Sequence, residues 1–465
     1  MSDVFIVDTK NPEDLAMLQA LYSRSPASVL THLEKLKQSG SGKFMDQYYV
    51  GYGHASIGDC GATTVFVEQV SMLVAKAIQD NPLYNGQEAS TRYLDFSKQA
   101  IVDPYNNPES QKIQSEWRTI YNRTLPLLIE GLKKNYPFDP ADYKNEKTWE
   151  NALAARAFDI ARSLLPVGTT TLLSWTTSLR AARDHLRRLK HNPLPEIRGV
   201  AHKIFDQLIK QYPHSFNPQD IEAADTPRDA YAARFAERNS FVNVDDIVQQ
   251  YAVTDAEIEA MREGKMIVRT KALDLQGLRN NEKETLSTRP SGSPLPWRLE
   301  AYGRYNFLFL LDFGSFRDLQ RHRNAVCQIP VLDGRFGMNP WYLGQFEQFL
   351  SPQEAEQLIQ DIDAQFLAIA GLAQKGVSVK PLLNQYLMPM GTQALVHASY
   401  SVPETVYVGE MRSAKTVHPS LRPVAQKMLG ILGRDIPEMT LYGDMDMDSW
   451  SAKRGEQTIM CVKAG

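Results

Sequence analysis

Residues 64–82, TVFVEQVSMLVAKAIQDNP, and residues 305–323, YNFLFLLDFGSFRDLQRHR, read alike. Set side by side without a gap, Phe66 meets Phe307, Lys76 meets Arg317 and Gln79 meets Gln320. The first stretch opens β-rich and continues with helical spacing, which predicts a long helix ending where Asp80, Asn81 and Pro82 break it. Two more correspondences follow in the same order. Leu165-Pro166 matches Met388-Pro389, and Arg188 and Arg198, ten apart, match Arg412 and Arg422. Three correspondences in one order predict two diverged copies of a single module.

The rest of the chain fits that size. At 465 residues it exceeds one ordinary domain, and with 43% hydrophobic and 23% charged residues it has apolar material for large cores. A formal charge of −3 gives no global attraction to nucleic acid or an anionic membrane, so anion binding has to be local. Cys60, Cys327 and Cys461 are far apart and form no CxxC, which predicts a reducing compartment and no zinc site. The amino terminus carries acids early and lacks a basic and apolar leader, and the longest uncharged stretch, 381–403, holds three prolines. The expectation is a cytoplasmic protein without a membrane span or bound metal.

Helical spacing predicts helices over 12–38, 110–135, 151–164, 181–190 and 196–212, with a loop at Ser39 to Gly42. Composition shifts near 225–250, and 279–296 looks least structured. The expected organisation is therefore a module over 1–225, a linker region over 226–296 and a second module over 297–465.

Several constellations could carry chemistry. Arg321-His322-Arg323 concentrates two guanidiniums and an imidazole at the end of an apolar run, suited to a phosphate or an electron-rich ring. The same cations would equally complement a helix C-terminus. In NGQEASTRY, 85–93, alternation puts Ser90 and Arg92 on one side, within reach of one phosphate or simply in a turn. His54 stands between glycines that permit close approach of a ligand, or a plain turn. Arg180, Arg183, His185, Arg187 and Arg188 form a basic stretch, read mostly as a solvated face, in which any inward Arg needs an anion. Cys327 is a low-pKa nucleophile or a small buried residue. No P-loop, zinc-hydrolase or dinucleotide motif is present, so composition and spacing reach an anion-binding α/β protein.

Taken together, these residues resemble the flavin-dependent thymidylate synthases. That family carries an Arg-His-Arg, then a Ser, then a Ser-x-Arg, and here the pattern is split. The first half has Asp80-Asn81-Pro82 in place of Arg-His-Arg but keeps Ser90-Thr91-Arg92; the second half keeps Arg321-His322-Arg323 and has Val326, Val331 and Asp333 where the later residues belong. GHASIGDC at 53–60 is similar to the glycine-histidine segment leading into the family's first core strand. LPVGTTTLLSWTTSLR at 165–180 with EIR at 196–198, and the more eroded 387–412, resemble its C-terminal region.

The resemblance implies an α+β fold of two fused thymidylate synthase modules of the flavin-dependent type, helix-rich with a small mixed sheet in each. It implies FAD as cofactor, NADPH and methylenetetrahydrofolate as cosubstrates, and dUMP or a related pyrimidine nucleotide as the methylated substrate. The family's sites lie between subunits, so one composite site would take Ser90 and Arg92 from the first copy and Arg321, His322 and Arg323 from the second. The implied roles are Arg180 and Ser90 in catalysis, and His54, Arg321, His322 and Arg323 at the flavin. Glu88, Ser90, Arg92, Arg321 and Arg422 are implied at the nucleotide. A homodimer would imitate the family's tetramer, with no nucleic-acid or membrane partner. Counting places Glu404 at the position of Arg180, a reversed charge beside the phosphate. That departure, with Asp80-Asn81-Pro82, points to the alternative: a catalytically silent nucleotide- or flavin-binding or assembly protein of the same fold.

Overall fold

The computed structural model describes residues 2–446 apart from Tyr52, Tyr93, Asp142, 220–225, Asn324 and 377–379; Cys461 lies outside the described residues. The chain forms two compact units, one of residues 1–89 and 169–241, the other of 90–168 and 242–465. These units are cut differently from the expected modules, because 90–168 folds with the second half.

The first unit is built on an antiparallel sheet in the order β1 (Asp3–Ile6), β2 (Ala62–Ser71), β3 (Thr170–Ser178). The long helix expected over 63–79 is thus a strand followed by a short helix, Met72–Gln79. The switch has a local cause. Val65, Val67 and Val70 are fully buried β-branched residues on the core face, and Ser71 ends the strand by accepting the Val74 N–H as helix N-cap. Glu196 fixes the same corner, its carboxylate accepting from the Ser71 amide (2.9 Å) and hydroxyl (2.6 Å). Residues 12–38 divide into two helices, Pro12–Tyr22 and Val29–Ser39, capped by Asn11 and Ser28. The basic stretch turns its histidine inward: in helix Leu179–Leu189, buried His185 lies 3.1 Å from the Ile78 carbonyl, and burial first, then the Arg188 charge, lowers its pKa to about 3.

The second unit carries an antiparallel sheet in the order β4 (Ile267–Arg269), β5 (Arg304–Asp312), β7 (Gln393–Ser401), β6 (Val326–Gln328). Both sheets are antiparallel throughout, which corrects the expectation of mixed sheets. β5 and β7 are buried on both faces, and the reason lies in the expected linker. Helices Val244–Tyr251 and Asp255–Arg262 place Val244, Ile247 and Met261 against Leu308, Leu310 and Leu395, forming a core cluster. By contrast, Phe66 and Leu172 on β2 and β3 remain 38% and 52% exposed. Residues 279–296 are also ordered by burial: Leu278 and Leu286 are fully buried, and buried Arg289 pairs with Glu410. On the other side of the unit, helix Pro108–Asn135 packs on Glu146–Ala161 and Pro352–Ala370. Gly131 brings that helix against the Phe349 carbonyl, where a Cβ would overlap the oxygen.

Strand ends fix the correspondence between the halves. Ser71 opposes Thr170 as Asp312 opposes Gln393, and Ser71 and Asp312 are both helix N-caps, as are Ser178 and Ser401. Counting from Ser178 and Ser401, Arg180 corresponds to Pro403, and Glu404 to Ala181. β2 also carries a bulge between Val67 and Val70, with Gln69 at φ 56°, that β5 lacks. Beyond it the ungapped match slips by one: Phe66 opposes Ser174, whereas Leu308 opposes the corresponding His397.

Within the second unit, the two Leu/Met-Pro segments pair with each other. Pro166 bridges Pro389 antiparallel. The Val167 amide donates to the Met388 carbonyl and the Met390 amide to the Leu165 carbonyl, both at 2.8 Å. Gly168 donates to Tyr386 and Gly391 to Ser163, both at 2.9 Å. Every bond is matched by its counterpart under exchange of the segments, so a local two-fold axis passes between the prolines.

Candidate anion-binding site

The turn after helix Phe313–Leu319 delivers Arg321 and His322, and helix Val402–Ser413 delivers Arg412. Arg412 Nε donates to His322 Nε2 at 2.8 Å, and its Nη2 donates to the Asp318 carbonyl at 2.8 Å. Arg321 Nη1 lies 3.8 Å from the Asp318 carboxylate. Arg92 comes from the 90–168 segment of the same unit. Its guanidinium grips buried Asp159 in bidentate fashion, at 2.7 and 3.1 Å, and also donates to the Thr416 carbonyl at 3.3 Å.

A buried polar network backs these residues. Asp312 accepts from the Ser315 amide (2.8 Å), the Tyr342 hydroxyl (3.1 Å) and the Ser420 hydroxyl (2.7 Å). His418 joins Ser420 to the Asp159 carbonyl, and Arg162 donates to Ser315 at 3.1 Å. The chain of contacts from Asp312 to Arg92 is therefore continuous.

Charge decides what the site can hold. Arg92, Arg162, Arg321 and Arg412 all act on the Asp318 carboxyl, and Arg321, Arg323 and Arg412 all act on His322. Burial alone would raise Asp318, but Arg162, Arg92, Arg321 and Arg412 hold its carboxyl below the usual range. Burial is also the main reason that Arg412 falls below its usual value, that Arg156 falls to about 10, and that His322 falls to about 3, assisted by Arg412. Several guanidiniums converging on one carboxyl make a cationic setting that an anion would complete. Beside the cluster, Tyr407 meets the His322 ring edge-on at 5.8 Å, and Tyr407 and Met411, one turn apart, are 53% and 41% exposed.

Ser90, Arg92, Arg321, His322, Arg323 and Arg422 belong to the second unit, while His54, Glu88 and Arg180 belong to the first. Ser90 Oγ accepts the Arg92 amide at 3.3 Å, a turn contact. Arg422 is buried, with its guanidinium on the Ser413 and Asp446 carbonyls at 2.8 and 3.0 Å. In the first unit, Arg180 pairs with Asp59 at 2.8 Å, Glu88 accepts from Gln79 at 2.8 Å, and exposed His54 lies 3.5 Å from Arg24. Glu404 is not a bare reversed charge. Its carboxylate accepts from its own N-cap amide at 2.8 Å and from Arg304 at 2.9 Å, so it is spent on the helix start and a neighbouring cation. Cys327 lies on edge strand β6 and, among the described residues, forms no disulfide. Sequence reading missed Asp159, Asp318 and Arg412's grip on His322. Asp159 sits on a helix outside the quoted motifs, and its only signal was an acid at a helix position that proves to be buried.

Among the described residues, no group of three or more His, Cys, Asp or Glu could hold a metal ion, and no helix is long and apolar enough to cross a membrane.

The family model for thymidylate synthase complementing protein matches residues 5–214. Over those residues, the chain resembles that family. Over most of its length it is also similar to two further proteins. A UPF0159 protein of Thermoplasma acidophilum is 23% identical, with 89% of this chain and 91% of the relative covered. A UPF0159 protein of Chlamydia muridarum is 24% identical, with 81% and 76% covered. Among solved structures, thymidylate synthase X of Helicobacter pylori with FAD and dUMP aligns at TM-score 0.29 and 15% identity, covering 48% of this chain and all of that one. The UMP/dUMP methylase PolB of Streptomyces cacaoi with 5-Br dUMP aligns at TM-score 0.31 and 17% identity, covering 46% and 93%.

Proposed function

We propose that this chain is a flavin-dependent methylase of the thymidylate synthase complementing family that acts on dUMP or a close pyrimidine nucleotide, in a composite site built by two fused copies of the module. The observation that carries the proposal is the convergence of Arg92, Arg162, Arg321 and Arg412 on the Asp318 carboxyl, a cationic setting that suits a phosphate. The family of residues 5–214 supports the reaction class, and the split of Ser90-Thr91-Arg92 from Arg321-His322-Arg323 between the halves supports a composite site. The matched bonds around Pro166 and Pro389 support the duplication.

The residues suit the expected groups chemically. Arg321 offers a partly exposed guanidinium, and Tyr407 and Met411 offer an apolar surface beside it for a ring. Arg321, His322 and Arg323 would hold FAD, which when reduced by NADPH supplies the electrons that turn a folate one-carbon unit into a methyl group. This chain's own part is to neutralise the phosphate, orient the ring and keep His322 uncharged. His54, Glu88, Ser90, Arg180 and Arg422 remain candidates for the roles that the resemblance implies.

The test is tritium release from [5-3H]dUMP with FAD, NADPH and methylenetetrahydrofolate. Release above the protein-free rate is the expected result. A second reading, a silent nucleotide-binding protein, is favoured by Pro403 at the position of Arg180 and by the occupation of Arg92 by Asp159. It predicts dUMP binding with no tritium release.

A further inference from the structure

Asn339 and Ser420 both donate to Asp312, and both also line a cleft of about 270 Å³ within the second unit. Another part of its wall is residues 261–266, from the segment expected as a linker. Met266, Phe309, Trp341 and Val424 supply apolar lining, while Lys427 and Gln393 supply polar groups. Lys427 has a counterpart in the first half. Helices Pro195–Gln211 and Arg422–Asp435 end on matching caps, the Tyr212 amide on Leu208 and the Ile436 amide on Leu432, which pairs Lys203 with Lys427. Lys203 meets the Ser2 carbonyl and hydroxyl at 2.9 and 2.8 Å. Half-buried Lys427 donates instead to one acceptor, the Gly264 carbonyl, and pairs with no carboxylate among the described residues. The other charges at the cleft are engaged: Lys265 with Glu263 at 3.1 Å, and Arg262 with Glu259 at 3.3 Å. Burial holds the Lys427 ammonium below the ordinary lysine pKa, so an anion beside it would restore the charged form. The half-buried Gln393 side-chain amide also has no hydrogen-bond partner among the described residues.

We propose that this cleft binds a small aromatic monocarboxylate, its carboxylate on the Lys427 ammonium and the Gln393 amide and its ring against Met266, Phe309 and Trp341. One ammonium matches one negative charge, which favours a carboxylate over a phosphate dianion. Two aromatic rings and a thioether favour a flat ring as the body of the ligand. The proposal does not depend on the nucleotide reading given above, because none of the arginines invoked there lines the cleft.

The probes are benzoate and its neutral match benzamide, followed in the full chain through carbon-13-labelled methionine methyl groups. Met261 and Met266 line the cleft, whereas Met17 and Met72 belong to the first unit and serve as controls. Benzoate should shift the Met261 and Met266 signals with a Kd of about 1 mM, leave the controls in place, and bind about tenfold more tightly than benzamide. This readout needs no variant to fold. No shift of Met261 and Met266 at millimolar benzoate, or equal shifts with benzamide, overturns the proposal. In Lys427→Met, benzoate should bind about tenfold more weakly while benzamide is unchanged. Benzoate binding that survives this substitution undiminished also overturns it.

Discussion

Pro166 faces Pro389 across an antiparallel bridge, and the two hold the same place in their halves, each leading into a strand that ends at an N-cap serine, Ser178 or Ser401. The exchange-symmetric bonds around them have the form of an isologous contact. Here the contact lies inside one compact unit, because residues 90–168 fold with 242–465.

The halves should therefore not be separable at the expected module boundary. A fragment of residues 242–465 lacks the partners of the Tyr386, Met388, Met390 and Gly391 backbone. It should be insoluble, or lack a cooperative melting transition, when expressed alone. Co-expression with residues 1–241 should restore it, as judged by co-purification and a single thermal transition.

Asp159 should matter for stability as much as for binding. Removing it as Asp159→Ala leaves the Arg92 guanidinium without its bidentate partner in a largely buried place. The expected cost is about 3–5 kcal/mol in urea unfolding, the range for an orphaned buried charge. A loss below about 1 kcal/mol would show that the pair behaves as a surface contact.

Little of this pairing was legible in the sequence. Ser90-Thr91-Arg92 and Arg321-His322-Arg323 stood out because motif spacing is a local property, and the helices 110–135 and 196–212 because their apolar period is 3.6. The partner of Arg92 is 67 residues away on helix Glu146–Ala161, a relation fixed by tertiary packing. The strand of residues 62–71 was hidden for another reason: its valines flow without a break into the apolar face of helix Met72–Gln79, so strand and helix periods overlap. The bulge at Gln69 and the one-residue displacement of Glu404 from the Arg180 position are likewise invisible to ungapped counting, and only the capped strand ends reveal them.

Stability should fall on mild acidification. His185 and His322 both have folded pKa values lowered to about 3, while an unfolded histidine titrates near 6.5. Below about pH 6.5 the unfolded chain takes up protons that the folded chain refuses, so stability is full above that pH and drops as pH falls toward 3. Each such histidine contributes a slope of up to about 1.4 kcal/mol per pH unit. His185→Leu should flatten the slope of denaturant stability between pH 6 and pH 4. An unchanged slope would mean that His185 titrates normally.

Gly131 should not tolerate a methyl group. Its helix approaches the Phe349 carbonyl so closely that a Cβ would overlap the oxygen, and backbone cannot yield as a flexible side chain can. Although alanine favours helices intrinsically, Gly131→Ala should destabilise by about 1–3 kcal/mol, seen as a lowered melting temperature. The control Gly199→Ala, at a helical glycine with open space, should be neutral or stabilising.

The most direct test of the account as a whole is the visible absorption spectrum of the full chain, loaded with FAD, desalted and titrated with dUMP. Retained flavin bands that shift on adding dUMP, and that shift less when Arg321→Ala weakens the cluster, are the predicted result. A colourless protein after desalting, or bound flavin indifferent to saturating dUMP, would contradict a shared flavin and nucleotide site.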